Sequence, residues 1–165
     1  MIVTNIRGNL QEAALQPGQT VDCLPLDYLQ AQKRILRGKT NGGVDVAIRL
    51  TEEAQKRGLH HGDILYRDET HVIAIEILPE ASLRVKPRDA MELARFCYEV
   101  GNRHAPLYSW EDADTFAVLY DESMELLLHE LGIPYEKAMI RLEEEKRMRL
   151  VKGAHHHSHP GVLHG

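Results

Sequence analysis

The chain has 165 residues, 43% of them hydrophobic and 27% charged, which suits one domain or two small modules and excludes a large multidomain enzyme or a chain without a core. Twenty basic against twenty-five acidic side chains leave a net charge of −5, so the chain carries no electrostatic footprint for a nucleic-acid backbone. No stretch approaches the ~18 apolar residues that span a bilayer, no basic region followed by a long apolar run opens the chain, and the cytoplasm is the expected location.

Residues 1–70 read as β-structure with turn punctuation. Thr40-Asn41-Gly42-Gly43 lies between Lys33–Lys39 and the largely alternating run Val44–Leu50. Asn-Gly between two such runs supplies the positive φ angles of a tight turn and predicts a hairpin. A second turn, Arg57–Asp63, leads into Ile64–Arg67. No long amphipathic helix is visible, so residues 1–70 are expected to form an all-β module.

From His71 the texture changes. Val72–Leu78 is β-branched and nearly continuous, as in a strand buried on both faces. Arg88–Val100 shows the helical period, with Ala90, Leu93, Ala94 and Cys97 on one face. Asp89 is its cap, Glu92 three residues on completes a capping box, and Gly101 is the expected stop. Pro106–Trp110 and Thr115–Tyr120 are short strands around the polar turn Glu111–Asp114. A second helix spans Glu122–Leu131, capped by Asp121 and closed by Gly132 and Pro134, and Tyr135–Leu142 offers a last strand. The order β-α-β-β-α-β over residues 71–147 matches the ferredoxin-like split βαβ arrangement. The expected class is therefore α+β: an all-β module, a ferredoxin-like module, and a tail over 148–165. The tail's small and polar residues bury too little surface to offset the entropy of ordering, so it is expected to be disordered.

The chemistry is concentrated in the histidines. There are ten, and five lie in the tail: His155, His156, His157, His159 and His164. Neutral imidazole is the commonest protein ligand for late first-row divalent metals, and four imidazoles within residues 155–159 allow several donors to converge on one ion. Ser158 and Pro160 interrupt the run, unlike an expression tag. The tail has neither thiolates nor carboxylates, which leaves nickel, zinc and cupric ion as candidates. His104, just past the first long helix, is the second candidate, although a lone loop histidine is more often an ordinary surface residue. Cys23 and Cys97 have no CxxC spacing, and Cys97 reads as a core hydrophobe. His60-His61 resembles a metal pair, but adjacent side chains on extended backbone point apart, so a surface turn is the simpler reading. His71 reads as a strand boundary and His129 as a helix-surface residue. The acidic turn Glu111, Asp112 and Asp114 reads as solvated, and Asp121-Glu122 lacks the spacing of an acid–base pair. No GxSxG, P-loop or GxGxxG is present, so no enzyme is expected.

Gly101-Asn102-Arg103-His104 after the helix, Gly62-Asp63-Ile64-Leu65 in the β-rich half, and the histidine-rich C-terminus together resemble the UreE family of urease accessory proteins. The resemblance covers essentially the whole chain. It implies a nickel metallochaperone for assembly of the urease active site. It also implies an N-terminal β-domain likened to peptide-binding modules, and a ferredoxin-like C-terminal domain that binds metal and forms the homodimer. By the same resemblance, His104 sits at the dimer interface and faces its copy across the two-fold axis. An isologous interface doubles the ligand count of a lone histidine. Two imidazoles underfill nickel's coordination sphere, and His155, His156, His157 and His159 are the expected further donors, tethering giving them an effective concentration of roughly millimolar. Some family members carry a histidine pair on the strand after GNRH. Thr115–Tyr120 has none, which counts against an auxiliary site there. The implied partners are the GTPase UreG and the complex of urease apoprotein with its accessory proteins. Three matters stay open: zinc or cupric binding in vitro, which the usual affinity order permits; metal-dependent tetramers; and the alternative functions of a nickel or zinc store or a peptide-binding module.

Overall fold

The computed structural model describes residues 1–149. In chain order its first module comprises β1 (Ile2–Val3), β2 (Thr20–Leu26), the single-turn helix α1 (Tyr28–Ala31), β3 (Ile35–Lys39), β4 (Asp45–Arg49), α2 (Glu52–Arg57), β5 (Ile64–Arg67) and β6 (His71–Ile77). The predicted hairpin is there: β3 and β4 pair antiparallel with Leu36 opposite Ile48 and Gly38 opposite Val46. Period-two alternation turns Val46 and Ile48 inward while Asp45 and Arg49 stay in solvent. The positive φ of the turn falls on Gly43, at 90°. One three-stranded sheet has the order β1-β4-β3 and the other β2-β6-β5, and Leu24, Leu26, Val46, Ile48, Leu65 and Ile75 from both share one core.

Two expectations for this half are corrected. The strand over His71–Ile77, expected to open the second module, is the middle strand of the first module's second sheet, parallel to β2 and antiparallel to β5. The boundary drawn at residue 70 therefore moves past Ile77. The sequence correctly marked a strand buried on both faces, but long-range pairing decides which sheet buries it. The module is also not purely β. Asp27 and Gln30 form a capping box on α1, with bonds of 2.7 and 2.9 Å, and Thr51 caps α2 by accepting from the Ala54 N–H at 3.3 Å.

The second module runs β7 (Glu80–Val85), α3 (Ala90–Asn102), β8 (Leu107–Ser109), β9 (Phe116–Leu119), α4 (Glu122–Leu131) and β10 (Tyr135–Ile140). The order β-α-β-β-α-β holds, but it starts at Glu80. Sequence reasoning missed β7, whose polar positions Glu80, Ser82 and Arg84 hide the wholly buried Leu83 and Val85. The four strands form an antiparallel sheet in the order β10-β7-β9-β8. Both helices cover one face, where Phe96, Val100, Met124, Leu127 and Leu128 pack on Leu83, Val85, Phe116 and Val118. On the other face Tyr28 of α1 joins Tyr108, Ala117, Ile140 and Leu142, its ring edge-on to Tyr108 at 6.3 Å. That cluster seats the second module on the first. The disordered tail expected over 148–165 falls almost wholly outside the described residues, as do His155, His156, His157, His159 and His164.

Candidate metal site

The site begins with the way α3 ends. Asp89 caps its start, accepting from the Met91 and Glu92 N–H groups at 2.9 Å each. Glu92 reaches back one residue further than a capping box requires, to the Arg88 N–H at 2.8 Å, and Arg88 donates to the Gly132 carbonyl at the end of α4 at 2.8 Å. The buried face is Phe96 and Val100 with Leu93 and Cys97 partly covered, rotated from the expected set, so Ala94 lies exposed.

Gly101 does not stop the helix, as its identity suggests. The helix runs on to Asn102, Arg103 is its C-cap, and the left-handed position beyond falls on His104, with φ 52°. The His104 N–H donates to the Gly101 carbonyl at 3.0 Å and the Ala105 N–H to the Val100 carbonyl at 3.2 Å, the bond pair of a Schellman motif. Glycine is the usual occupant of that position, and a side chain there costs about 1 kcal/mol. His104 is the only non-glycine residue with positive φ among the described residues. Arg103 does not project freely: its guanidinium is held by the Glu99 carboxylate one turn back at 2.5 Å.

The His104 ring is exposed and makes no hydrogen bond among the described residues. It lines a groove of about 540 Å³ with Cys97, Val100 and Leu107, opposite the last turn of α2. Burial pushes the Cys97 thiol above its ordinary pKa, which disfavours the thiolate a metal needs. Along the solvent side of α3, Met91, Ala94, Tyr98 and Gly101 recur at helical spacing and end at this turn. Met91 is 62% and Tyr98 68% exposed, an apolar stripe with two small residues that permit close approach. Among the described residues no three side chains of His, Cys, Asp or Glu converge as a metal site. A metal held at His104 therefore needs donors from elsewhere.

The other histidines are placed as follows. His60 and His61 do lie at a turn, closed by the Asp63 N–H donating to the His60 carbonyl at 3.2 Å, but the turn is half-buried between the two modules and not a free surface feature. His60 Nδ1 lies 2.5 Å from the Glu145 carboxylate and its Nε2 lies 3.1 Å from the Arg57 carbonyl. His61 Nδ1 accepts from the Ile77 N–H at 3.3 Å, and its Nε2 faces Arg141 Nη1 at 3.3 Å. Burial first, then the Arg141 charge, holds the His61 pKa below the ordinary imidazole value. His71 is exposed at the start of β6, its Nδ1 2.7 Å from Thr70 Oγ1, and His129 is exposed near the end of α4. Beneath His60 the carboxylate of Asp63, 0% exposed, accepts two bonds from Arg57 at 2.6 and 2.8 Å and one from the His60 N–H at 2.8 Å. Nothing in the sequence distinguished this buried carboxylate and its half-exposed arginine partner from the turn around them.

Comparison with known proteins gives a consistent result. Residues 3–78 match the UreE urease accessory protein N-terminal domain, and residues 80–165 match the C-terminal domain of the same family. The change of match after residue 78 agrees with the placement of β6 in the first module. A urease accessory protein UreE from Helicobacter acinonychis (strain Sheeba) is 37% identical over 149 residues, covering 90% of this chain and 86% of the relative. One from Haemophilus influenzae (strain PittGG) is 38% identical over 157 residues, covering 92% and 82%.

Proposed function

Since this chain belongs to the UreE family of urease accessory proteins, we propose that it is a nickel chaperone that delivers Ni(II) for assembly of the urease active site. It acts as an accessory protein and not as an enzyme. Nickel is its cargo. The observation that carries the reading is the His104 ring, exposed and unbonded on a turn that would suit glycine better, at the end of an unpartnered apolar stripe. A side chain placed against backbone preference suggests a compensating role, and coordination would supply one.

The stripe Met91, Ala94, Tyr98 and Gly101 supports a homodimer through the second module. A two-fold axis beside α3 sets the same stripe against itself and brings His104 of one protomer towards that of its partner. The lack of three convergent ligands among the described residues of one chain fits a site that two copies share. His155, His156, His157 and His159, outside the described residues, are the proposed further donors. The second module is read as ferredoxin-like, supported by the strand order β10-β7-β9-β8 with both helices on one face. Among the described residues no helix is long and apolar enough to cross a membrane, and a cytoplasmic location is part of the proposal. So are the GTPase UreG and the complex of urease apoprotein with its accessory proteins as the machinery that receives the metal.

Release follows from the character of the donors. Exposed imidazoles are surrendered one at a time to an incoming ligand, and acidification weakens binding because a protonated imidazole cannot coordinate. Zinc and cupric ion are expected to bind in vitro, and availability in the cell then selects nickel.

Nickel titration of the purified dimer by calorimetry tests the proposal. His104→Ala should abolish the tightest step, and deletion after Gly153 should lower the number of ions bound. A store or buffer would instead show several similar weak sites that do not depend on His104.

A further inference from the structure

We propose that Arg103 is a positioning residue, which by gripping Glu99 carries α3 past Gly101 and so fixes the turn on which His104 stands. The end of this helix is a contest between two stops. Gly101 is the less costly one, because glycine weakens a helix interior and enters the left-handed region freely. Ending at Asn102 instead leaves the left-handed position to His104, whose side chain is strained there, at φ 52°. The helix cannot run much further, since Pro106 disfavours helical backbone at Ala105. Both local preferences therefore point to Gly101, and something must outweigh them.

Arg103 supplies that weight. Its Nη1 donates to the Glu99 carboxylate at 2.5 Å and to the Glu99 carbonyl at 3.2 Å, and its backbone N–H donates to the same carbonyl at 3.2 Å. These bonds join residue 103 to residue 99, a spacing that brings the two together only while 99–103 remain one helical turn. A cation is also favoured at this end of a helix, where the last carbonyls concentrate partial negative charge. Asp121, which caps α4, lies within reach of the same charge, although the Ser123 hydroxyl is the first cause of its lowered carboxyl pKa. With the guanidinium folded back along α3, the His104 N–H closes on the Gly101 carbonyl and the Ala105 N–H on the Val100 carbonyl. The imidazole is thereby presented from a closed turn and not from a frayed loop.

The effect on metal rests on the nickel reading; the turn itself needs no metal and is measured without it. In the metal-free full-length chain, Arg103→Ala should raise the amide exchange rates of His104 and Ala105, read by NMR, roughly fivefold, the factor expected when one charge-assisted hydrogen bond in partial solvent is lost. Unchanged rates overturn the proposal. Adding Gly101→Ala, whose Cβ meets no neighbouring atom of the described residues within 4 Å, removes the competing stop and should restore the parent rates. Rates that stay fast overturn the proposal as well. In nickel calorimetry Arg103→Ala should weaken the tight step by the same factor, with the sedimentation of the parent retained. Loss of a cation beside a dication would by charge alone tighten it. Tighter or unchanged binding therefore overturns the positioning role and leaves the chaperone reading intact. A shift in sedimentation would place the effect at the subunit contact and also overturn it. A parent chain without a tight nickel step would sink the chaperone reading, while the exchange rates still decide what Arg103 does to the turn.

Discussion

His60-His61 and His104 occupy equivalent places, one in each module: each follows a helix C-cap and precedes a strand. They differ in what surrounds the rings. His60 meets Glu145 and the Arg57 carbonyl, and His61 meets the Ile77 N–H and Arg141, so the adjacent pair is spent on holding the modules together. His104 has an exposed ring without a bonded partner among the described residues and sits in backbone that favours glycine. The lesson is that proximity of two imidazoles in sequence says less about metal binding than whether their lone pairs are already engaged.

The comparison breaks if damage to the first motif alters metal binding, or if damage to the second alters stability in the wrong direction. The largest effect is expected from Arg57→Ala, which leaves the Asp63 carboxylate buried without its counter-charge. It should cost about 3 kcal/mol in urea unfolding and leave the nickel stoichiometry of the folded protein unchanged. Next, His61→Ala orphans the Ile77 N–H and should cost about 1–2 kcal/mol, again without loss of the tight nickel step. The third effect has the opposite sign. His104→Gly removes the left-handed strain and should stabilise by about 1 kcal/mol, raising Tm by about 2–4 °C, while tight nickel binding disappears. A fall in Tm would mean that the ring has a structural role.

The smallest effect is in pH dependence. The His61 pKa is depressed in the fold, so below the ordinary value of 6.5 the unfolded chain takes up a proton that the folded chain refuses. Its contribution is fully present above 6.5 and is lost as pH falls towards the depressed value. Urea midpoints across that window should decline less steeply in His61→Gln than in the parent.

Local signals were legible wherever local physics decides. Asp89 and Asp121 cap α3 and α4, α4 ends at Gly132 in the left-handed conformation, and the Thr40–Gly43 turn closes a hairpin, all as the residue types require. What the sequence hid depends on partners far along the chain. β6 reads as a buried strand in either module until β2 claims it, and β7 is masked by the polar side chains of its other face. The end of α3 misled for a different reason. Gly101 advertised a stop, yet the helix continued and left His104 in the position glycine prefers, a local rule broken at the residue proposed to bind the cargo. His104 itself was legible as a candidate through the GNRH motif, whereas the burial of His60 and His61 required the packing of one module on the other.

The measurement that tests the account most directly is nickel calorimetry on the parent, His104→Ala and the double variant His60→Ala/His61→Ala, side by side at one pH. The account predicts a tight step that survives in the double variant and vanishes in His104→Ala. A tight step that persists without His104 and disappears with His60 and His61 would contradict it.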